Sequence, residues 1–543
     1  MEKIWLKHYD KWVSPNLEYP SGTLYDIFSG VAERWKDRTC TIYLDGQLTY
    51  GELKDKVDAF AAALAARGIK KGDRIIISLP SSPQFMVAYY ALMKLGAVVV
   101  MLNPLSSQRE IFFKFKDSGA RGIVTLDMFF DRFVASSREV GMDTIIFCGV
   151  FDFHPTLQPA SMSERGEGLL NMRSMIQDSL PQGAQAKVKQ DDLAVIIYTG
   201  GTTGEPKGVM QTHRNHVTNS WNITNWGKFD QNDRGLCVLP LFHGFGMAVM
   251  NCLIIRGGSL VLIPQFDIKN VFEQIHRHRP TIMIGVPTMY VAMNNYPDRK
   301  KYNITSLRVS MSGGAPLPIS VKHEYERSTG GKLIEGFGLT ESTCAVCANP
   351  IEEINKEGSI GLPMSDTDMA IVDLETGDKF LPQGEIGEIV LKTQTVMKGY
   401  YRNQEATADT IKEGWLHTGD IGKMDEDGYF YILDRKKEMI IAGGFNIYPK
   451  EVENVLLSHP GVMEAAVIGL PDSYRGETVK AFIIPREGAV LTEEELADFC
   501  KKNMVRYMVP KLFEFRSSLP KSPIGKILKK DLKAEEMEKI KRR

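Results

Sequence analysis

Between residues 24 and 150 the apolar residues change period repeatedly, and this alternation restricts the fold more than any other feature of the chain. Leu53, Val57, Phe60 and Leu64 recur at i, i+4, i+7 and i+11, which is one face of a helix. Residues 68–73 read as a turn, Arg74 to Leu79 as a strand, Met86 to Leu95 as a helix and Ala97 to Leu102 as a second strand. Strand–helix–strand order of this kind builds parallel sheets covered by helices, so the predicted class is α/β. The pattern returns from 236 to 348. There Leu307, Val309 and Met311 alternate with Arg308, Ser310 and Ser312, predicting a half-buried strand that ends at Gly313-Gly314-Ala315-Pro316.

A chain of 543 residues is too long for one hydrophobic core, so at least two domains are expected. The stretch from 154 to 190 is rich in Ser, Gly and Gln, lacks a period and reads as a surface excursion. After Gly358 short strands separated by turn signals predict a small, barrel-like all-β unit. The charged run Asp434-Arg435-Lys436-Lys437 places a boundary at about 434. This divides the chain into a large N-terminal domain, 1–434, of α/β layered subdomains plus the β unit, and a smaller α+β domain, 435–543. In the latter Pro449 opens a helix with Val452, Val455 and Leu456 on one face. Thr492 and Glu495 suit a capping box, and Lys529 to Arg543 reads as a solvated helix of mixed charge.

Composition removes several classes of function. The formal net charge of -1 gives no electrostatic footprint for nucleic acid. The apolar zone from Phe85 to Leu102 is interrupted by Lys94 and Gly96. It reads as a buried helix and strand rather than an integral membrane segment, so membrane contact would be peripheral only. The first residues lack an apolar core of signal-peptide length, and the 7 cysteines suit reduced thiols, so a cytoplasmic protein is expected. Cys344-Ala-Val-Cys347 has no second pair at ligand spacing and reads as two small core residues.

The chemistry concentrates in Tyr198-Thr-Gly-Gly-Thr-Thr-Gly-Glu-Pro-Lys-Gly208, which follows the buried strand Leu193 to Ile197. Glycines let backbone N–H groups approach an anion, threonine hydroxyls add donors and Lys207 adds a charge. That is a phosphate cradle, although Pro206 and the spacing rule out a Walker A loop.

Several further stretches follow in a fixed order: Glu335-Gly-Phe-Gly-Leu-Thr-Glu341, His417-Thr-Gly-Asp420, Asp434-Arg-Lys-Lys437, Gly443-Gly-Phe-Asn-Ile-Tyr-Pro449 and Pro520-Lys-Ser-Pro-Ile-Gly-Lys526. Together with the loop they resemble the motifs of adenylate-forming enzymes from about residue 25 to 530, and among these the fatty-acyl-CoA synthetases most closely. The resemblance implies ATP, Mg²⁺ and coenzyme A as co-substrates and cofactor. Thr199, Gly200, Gly201, Thr202, Thr203, Gly204 and Lys207 would hold the β- and γ-phosphates. Gly313, Gly314 and Ala315 would lie against adenine, with Glu335, Gly336, Phe337 and Gly338 beside it and Phe337 stacking on the base. Thr340 would donate to the α-phosphate and Glu341 would bind Mg²⁺. Asp420 and Arg435 would contact the ribose, with Ile432 in the same binding set, and Asp434 would be a hinge that makes the small domain mobile. Gly443, Gly444 and Phe445 would line the pantetheine path, and Lys436, Arg475 and Lys480 would meet coenzyme A phosphates. Lys526 would be the adenylation catalyst, bridging the substrate carboxylate and the α-phosphate.

The stretch Pro240-Leu-Phe-His-Gly-Phe-Gly-Met247 resembles the wall of the carboxylate site, with His243 as its gate, and residues 286–290 and 312–314 would line the tail. Two departures stand out. Gly200 replaces the usual Ser or Thr of the loop, removing one hydroxyl donor, and Pro523-Ile524 precedes the terminal glycine. The expected function is ATP-dependent activation of an apolar carboxylic acid, a medium- or long-chain fatty acid, to acyl-AMP and then acyl-CoA. A monomer or homodimer is expected. The alternatives are a ligase for a cyclic or aromatic acid, one running toward ATP formation, or an acyl-AMP ligase that uses no free coenzyme A. A degenerate scaffold is disfavoured by the intact Glu341, Asp420, Arg435 and Lys526.

Overall fold

In the computed structural model the described residues are 2–157, 169–179, 186–199, 206–442, 445–472, 474–521 and 527–542. They form two compact units: one from the described residues of Met1–Gly200, Pro206–Asp368 and Lys392–Leu416, the other from those of Met369–Leu391 and His417–Arg543. By packing, therefore, the small β strands after 369 group with the C-terminal residues, and the division does not fall at 434.

The first unit holds two large sheets. The nine-stranded sheet runs Leu362–Pro363, Ala345–Ala348, Lys332–Gly338, Val309–Ser312, Ile282–Gly285, Arg234–Cys237, Ser259–Leu262, Thr39–Tyr43, Gly46–Thr49. Its six central strands, from Lys332–Gly338 to Thr39–Tyr43, are parallel, as the α/β expectation requires. The eight-stranded sheet runs Gly399–Tyr400, Lys207–Thr212, Leu193–Thr199, Val98–Met101, Arg74–Ser78, Gly122–Leu126, Thr144–Cys148, Leu169–Asn171. Parallel strands buried on both faces read as continuous apolar runs, which is why Ile75, Ile76 and Ile77 are all fully buried.

A helical layer joins these sheets. Every residue of the helix Pro83–Leu95 is buried, and it packs with Tyr50–Ala66 and Leu24–Arg34. Tyr90 donates to Asn251 Oδ1 at 3.0 Å, Asn251 donates to the Tyr89 hydroxyl at 3.3 Å, and the Phe28 and Tyr90 rings stack at 4.3 Å. Leaving any one of these three polar groups unpaired would cost about 1–3 kcal/mol.

Two expectations for this unit need correcting. The strand Val309–Ser312 is buried on both faces, not half-buried. Both serines are small enough for the buried faces, and the Ser310 and Tyr325 hydroxyls pair at 2.8 Å. The stretch 154–190 includes a strand, Leu169–Asn171, and a helix, Met172–Gln177, capped by Asn171.

In the second unit Asp368–Val372, Gly387–Lys392, Trp415–Met424 and Phe430–Arg435 pair in that order, forming the expected small β unit. Its other sheet orders Phe445–Ile447, Ile440–Ala442, Gly476–Pro485 and Val462–Asp472, with Leu512–Phe515 parallel to Gly476–Pro485. The period of two sends Val467, Val479, Ala481 and Ile483 to one face, against Val452 and Leu456 of the helix Pro449–Ser458 and Leu496 of Glu493–Asn503. Ala466, Ile468, Phe482 and Ile484 take the other face with Leu532. The terminal helix Lys529–Lys541 is thus docked through Leu532, where a solvated helix was expected. Thr492 caps its helix by accepting from the Glu495 amide at 3.1 Å.

Candidate active site

In the first unit the candidate residues gather where the parallel strands of the nine-stranded sheet end. Four adjacent strands, Lys332–Gly338, Val309–Ser312, Ile282–Gly285 and Arg234–Cys237, are followed by Leu339-Thr340-Glu341, Gly313-Gly314-Ala315, Val286-Pro287 and the 238–243 segment. Open α/β sheets bind ligands at such carboxyl ends.

Glycine is required at two of these positions. Gly314 has φ +80, and a Cβ on Gly338 would lie 1.7 Å from the Cys344 carbonyl oxygen. Gly313 meets the Phe245 ring, and a Cβ there would stand 3.2 Å from it. Ser312 is in register with Glu335, so Gly313–Ala315 and Phe337 extend from neighbouring strands, and Phe337 and Ala315 are only partly buried. The Glu335 carboxylate accepts from the Leu317 amide at 3.3 Å and holds the 313–317 turn.

The loop residues Gly200, Gly201, Thr202, Thr203 and Gly204 lie outside the described residues, but both sides of the loop are described. Thr199 faces Lys207 in an antiparallel hairpin, and the Thr199 hydroxyl donates to the Lys207 carbonyl at 3.4 Å. Gly399–Tyr400 extends this hairpin, pairing with Val209 and Met210. The Lys207 ammonium lies 4.9 Å from the centre of the Tyr400 ring, and the Tyr400 hydroxyl donates to Glu341 Oε1 at 2.9 Å. Burial first and Glu341 second push the Tyr400 phenol well above its ordinary pKa, so it remains a donor.

The turn Thr340–Ser342 and the residue after it are fastened to the hairpin at one point and to the 395–397 segment at two. Gln211 donates to the Thr340 carbonyl at 2.8 Å, the Met397 amide to the Glu341 carbonyl at 2.8 Å, and Thr343 to the Thr395 carbonyl at 2.7 Å. Sequence reasoning named Lys207, Thr340 and Glu341 but missed Tyr400 and Gln211, which bring them together. The signal for Tyr400 was a tyrosine in Gly399-Tyr400-Tyr401, too common to single out.

His243 caps the helix Gly244–Arg256, its Nδ1 accepting from the Phe245 amide at 3.2 Å. Burial lowers its pKa, so the ring is neutral with its proton on Nε2. A Cβ on Gly246 would lie 2.2 Å from the Pro240 carbonyl, which accounts for the glycine three residues after His243.

In the second unit, Asp420 and Arg435 face each other in register, with Arg435 Nε 3.1 Å from Asp420 Oδ1. Asp420 is buried and Arg435 is half-exposed. Glu388, which sequence reasoning missed, organises their surroundings. It accepts from Lys436 Nζ at 3.1 Å and from the Gly419 amide at 3.0 Å, and it stands 3.4 Å from His417 Nδ1. The Ile432 carbonyl accepts from Lys450 Nζ at 3.1 Å. Asp434 accepts from the Arg435 and Lys450 amides, and burial raises its pKa.

Ala442 is in register with both Phe445 and Gly476, so Phe445 and Arg475 lie at one edge of the C-terminal sheet. The exposed Phe445 ring stacks on Tyr507 at 4.4 Å. Lys480 is a correction. It is buried, with its ammonium 2.6 Å from Glu514 and 2.7 Å from Glu536, so it is not available to a coenzyme A phosphate. Gly443, Gly444 and Lys526 lie outside the described residues.

The donor set suits a hard cation held together with phosphates, since Mg²⁺ commonly takes one or two protein carboxylates and leaves its other positions to water and phosphate oxygens. Glu341, oriented by Tyr400 and beside the Lys207 hairpin, meets that requirement. Cys344 and Cys347 are buried free thiols, as read from the sequence. Among the described residues no helix is long and apolar enough to cross a membrane.

Comparison with known proteins gives a consistent set of relatives. The model of the AMP-binding enzyme family matches residues 28–401, and that of the AMP-binding enzyme C-terminal domain matches residues 451–526. The long-chain-fatty-acid–CoA ligase of Bacillus subtilis (strain 168) is 40% identical, covering 99% of each chain. ATP-bound MatB from Rhodopseudomonas palustris is similar with a TM-score of 0.85 at 30% identity, over 94% of this chain and 98% of that one. The O-succinylbenzoate coenzyme A synthetase MenE of Bacillus subtilis, solved with ATP and a magnesium ion, is similar with a TM-score of 0.80 at 30% identity, over 95% and 100%.

Proposed function

This chain belongs to the AMP-binding enzyme family, and from that premise we propose that it is an AMP-forming long-chain fatty-acyl-CoA ligase. The observation that carries the proposal is the Lys207–Tyr400–Glu341 arrangement, which sets a cation and an oriented carboxylate side by side where parallel strands end.

The reaction joins two anions. A fatty-acid carboxylate oxygen attacks the α-phosphate of ATP, the bond to the β-phosphate oxygen breaks, and pyrophosphate leaves. The sulfur of coenzyme A then attacks the acyl carbon, AMP leaves, and the thiol proton goes to solvent. Charge repulsion in the first step must be offset by fixed cations and donors.

Lys207 and the 199–204 loop would hold the β- and γ-phosphates, and the Thr340 hydroxyl would donate to the α-phosphate. Glu341 would hold Mg²⁺, which when bound neutralises phosphate charge. Phe337 would stack on adenine against Gly313–Ala315, with Asp420 and Arg435 at the ribose. Neutral His243 would wall the carboxylate with its Nε2 proton, and Lys526 would bridge carboxylate and α-phosphate. Asp434 would be the pivot at which residues 435–543 turn between half-reactions, bringing Phe445 and Arg475 to coenzyme A. The seven buried thiols and the absence of a spanning helix among the described residues support a cytoplasmic location.

Pyrophosphate release driven by a fatty acid, measured with and without coenzyme A, tests this reading. Lys526→Ala should reduce the acid-dependent rate by about 10²–10³. Unchanged release in that variant would remove Lys526 from the mechanism. Adenylate accumulating equally with and without the thiol would favour an acyl-AMP ligase.

A further inference from the structure

Lys529 opens the terminal helix Lys529–Lys541. The positive end of a helix dipole disfavours a lysine there, and such a residue would ordinarily extend into water. Here its side chain is only 16% exposed, with the ammonium 2.8 Å from Glu453 Oε1 and 3.2 Å from Glu438 Oε2. Burial by itself would lower the pKa of Lys529; Glu453, Glu438 and Asp434 outweigh it and raise the pKa.

The acids come from different segments of one compact unit. Glu438 belongs to the turn that closes the strand Phe430–Arg435, where its amide donates to the Arg435 carbonyl at 2.9 Å. Glu453 belongs to the helix Pro449–Ser458 and also accepts from the Val467 amide of the C-terminal sheet at 2.8 Å. Asp434 joins turn and helix directly, accepting from the Arg435 amide at 2.7 Å and from the Lys450 amide at 2.8 Å. On the other side of Lys529, the Leu528 amide donates to the Pro520 carbonyl at 2.8 Å, and Lys521 bridges Ile527.

We propose that Lys529 is a positioning residue of the ligase: its ammonium fastens the 434–438 turn and the 449–458 helix to the start of the terminal helix. The stretch carrying Asp434 and Arg435 and the chain closing at Ile527 then move as one body. The proposal rests on the acyl-CoA ligase reading. The simpler role is an ion cluster that only stabilises the fold, and breaking a buried pair by removing one partner is costly in any case. The two roles differ in their kinetics. A positioning group sets turnover while leaving ground-state affinity in place, because misplacement by about 1 Å can cost about 10² in rate.

The test uses the full-length protein and compares Lys529→Met, Lys529→Arg and the charge-neutral double variant Lys529→Met/Glu453→Gln, all assayed well below their Tm. Where Lys529→Met does not fold, the double variant carries the test. Both Met variants should lose about 10- to 100-fold in kcat for pyrophosphate release and for acyl-CoA formation, with KM for ATP within about twofold. Lys529→Arg should recover most of the rate. A folded double variant with wild-type kcat would overturn the proposal.

Amide hydrogen exchange on the wild-type protein adds a check that does not depend on any variant. The Glu438, Lys450 and Val467 amides should open with one common free energy, and independent opening would contradict the proposal. Lys526→Ala, run in parallel, keeps the two claims apart. Normal release in Lys526→Ala sinks the catalytic assignment of Lys526, whereas a dead Lys526→Ala beside fully active Lys529 variants sinks only the present proposal.

Discussion

Tyr400 takes no chemical part in the proposed reaction, yet it lies between two groups that do, Lys207 and Glu341. Its ring lies under the Lys207 ammonium and its hydroxyl holds the Glu341 carboxylate. Partners that orient a metal-binding carboxylate typically matter by about 10- to 100-fold in metal affinity or activity. Tyr400→Phe should therefore raise the Mg²⁺ concentration for half-maximal pyrophosphate release by about that factor, with the fold intact; an unchanged Mg²⁺ titration would remove Tyr400 from the site. Gly338→Ala should act on the fold itself. Its Cβ would meet the Cys344 carbonyl at 1.7 Å, and backbone must shift to relieve the clash. A loss on the order of 3 kcal/mol is expected, read as a lower Tm and reduced soluble yield.

At this scale the sequence was legible where chemistry demands particular residue types. Lys207 and Glu341 could be named as candidates because a phosphate cradle and a hard cation would require a cation and a carboxylate, and the structure brings both to Tyr400. Tyr400 could not, because its partner is 59 positions away and aromatic residues in strands are usually core. Lys480 was misread for a related reason. A lysine in an apolar strand shows neither which face it takes nor that Glu514 and Glu536 wait on that face.

The helix His213–Trp226 is almost wholly buried and carries two histidines on that buried surface. Burial pushes the His213 pKa down to about 4, with Asp192 and Asp26 opposing and Lys71 assisting, and pushes the His216 pKa down to about 3, with His213 assisting. Both folded values lie below the unfolded value of about 6.5. As pH falls through 6.5 the unfolded chain takes up protons that the folded chain refuses, so stability is lost on the acid side. It falls by up to about 1.4 kcal/mol per pH unit per histidine, down to about pH 4 for His213 and about pH 3 for His216. His213→Gln should flatten the decline of Tm between pH 6.5 and about 4, and an unchanged slope would contradict the assignment. Elements with a clear period, such as Tyr50–Ala66 and Pro449–Ser458, were legible in advance. The strand Val309–Ser312 misled because the Ser310 hydroxyl is paired inside the fold by Tyr325, and the terminal helix misled because it is docked by Leu532 and by ion pairs such as Lys480–Glu536 and Lys529–Glu453 with residues distant in the chain. Neither cause can be read from a window of local sequence.

For the whole molecule, the α/β class and the presence of two units followed from the alternation and the length. The point of division did not, since packing assigns residues 369–391 to the C-terminal unit although the chain leaves that unit and returns to it at 417. Similarity to a long-chain-fatty-acid–CoA ligase runs through 99% of the chain, both units included, so the activity proposed is one that needs both. The most direct measurement is a product balance with ATP, Mg²⁺ and coenzyme A across a panel of acids: butyrate, dodecanoate, palmitate, stearate, benzoate and cyclohexane carboxylate. The account predicts acid-dependent formation of AMP, pyrophosphate and acyl-CoA in equal amounts, fastest with the long linear chains and slowed about 10²–10³-fold in Lys526→Ala. Pyrophosphate release indifferent to the acid, or fastest with benzoate, would contradict it.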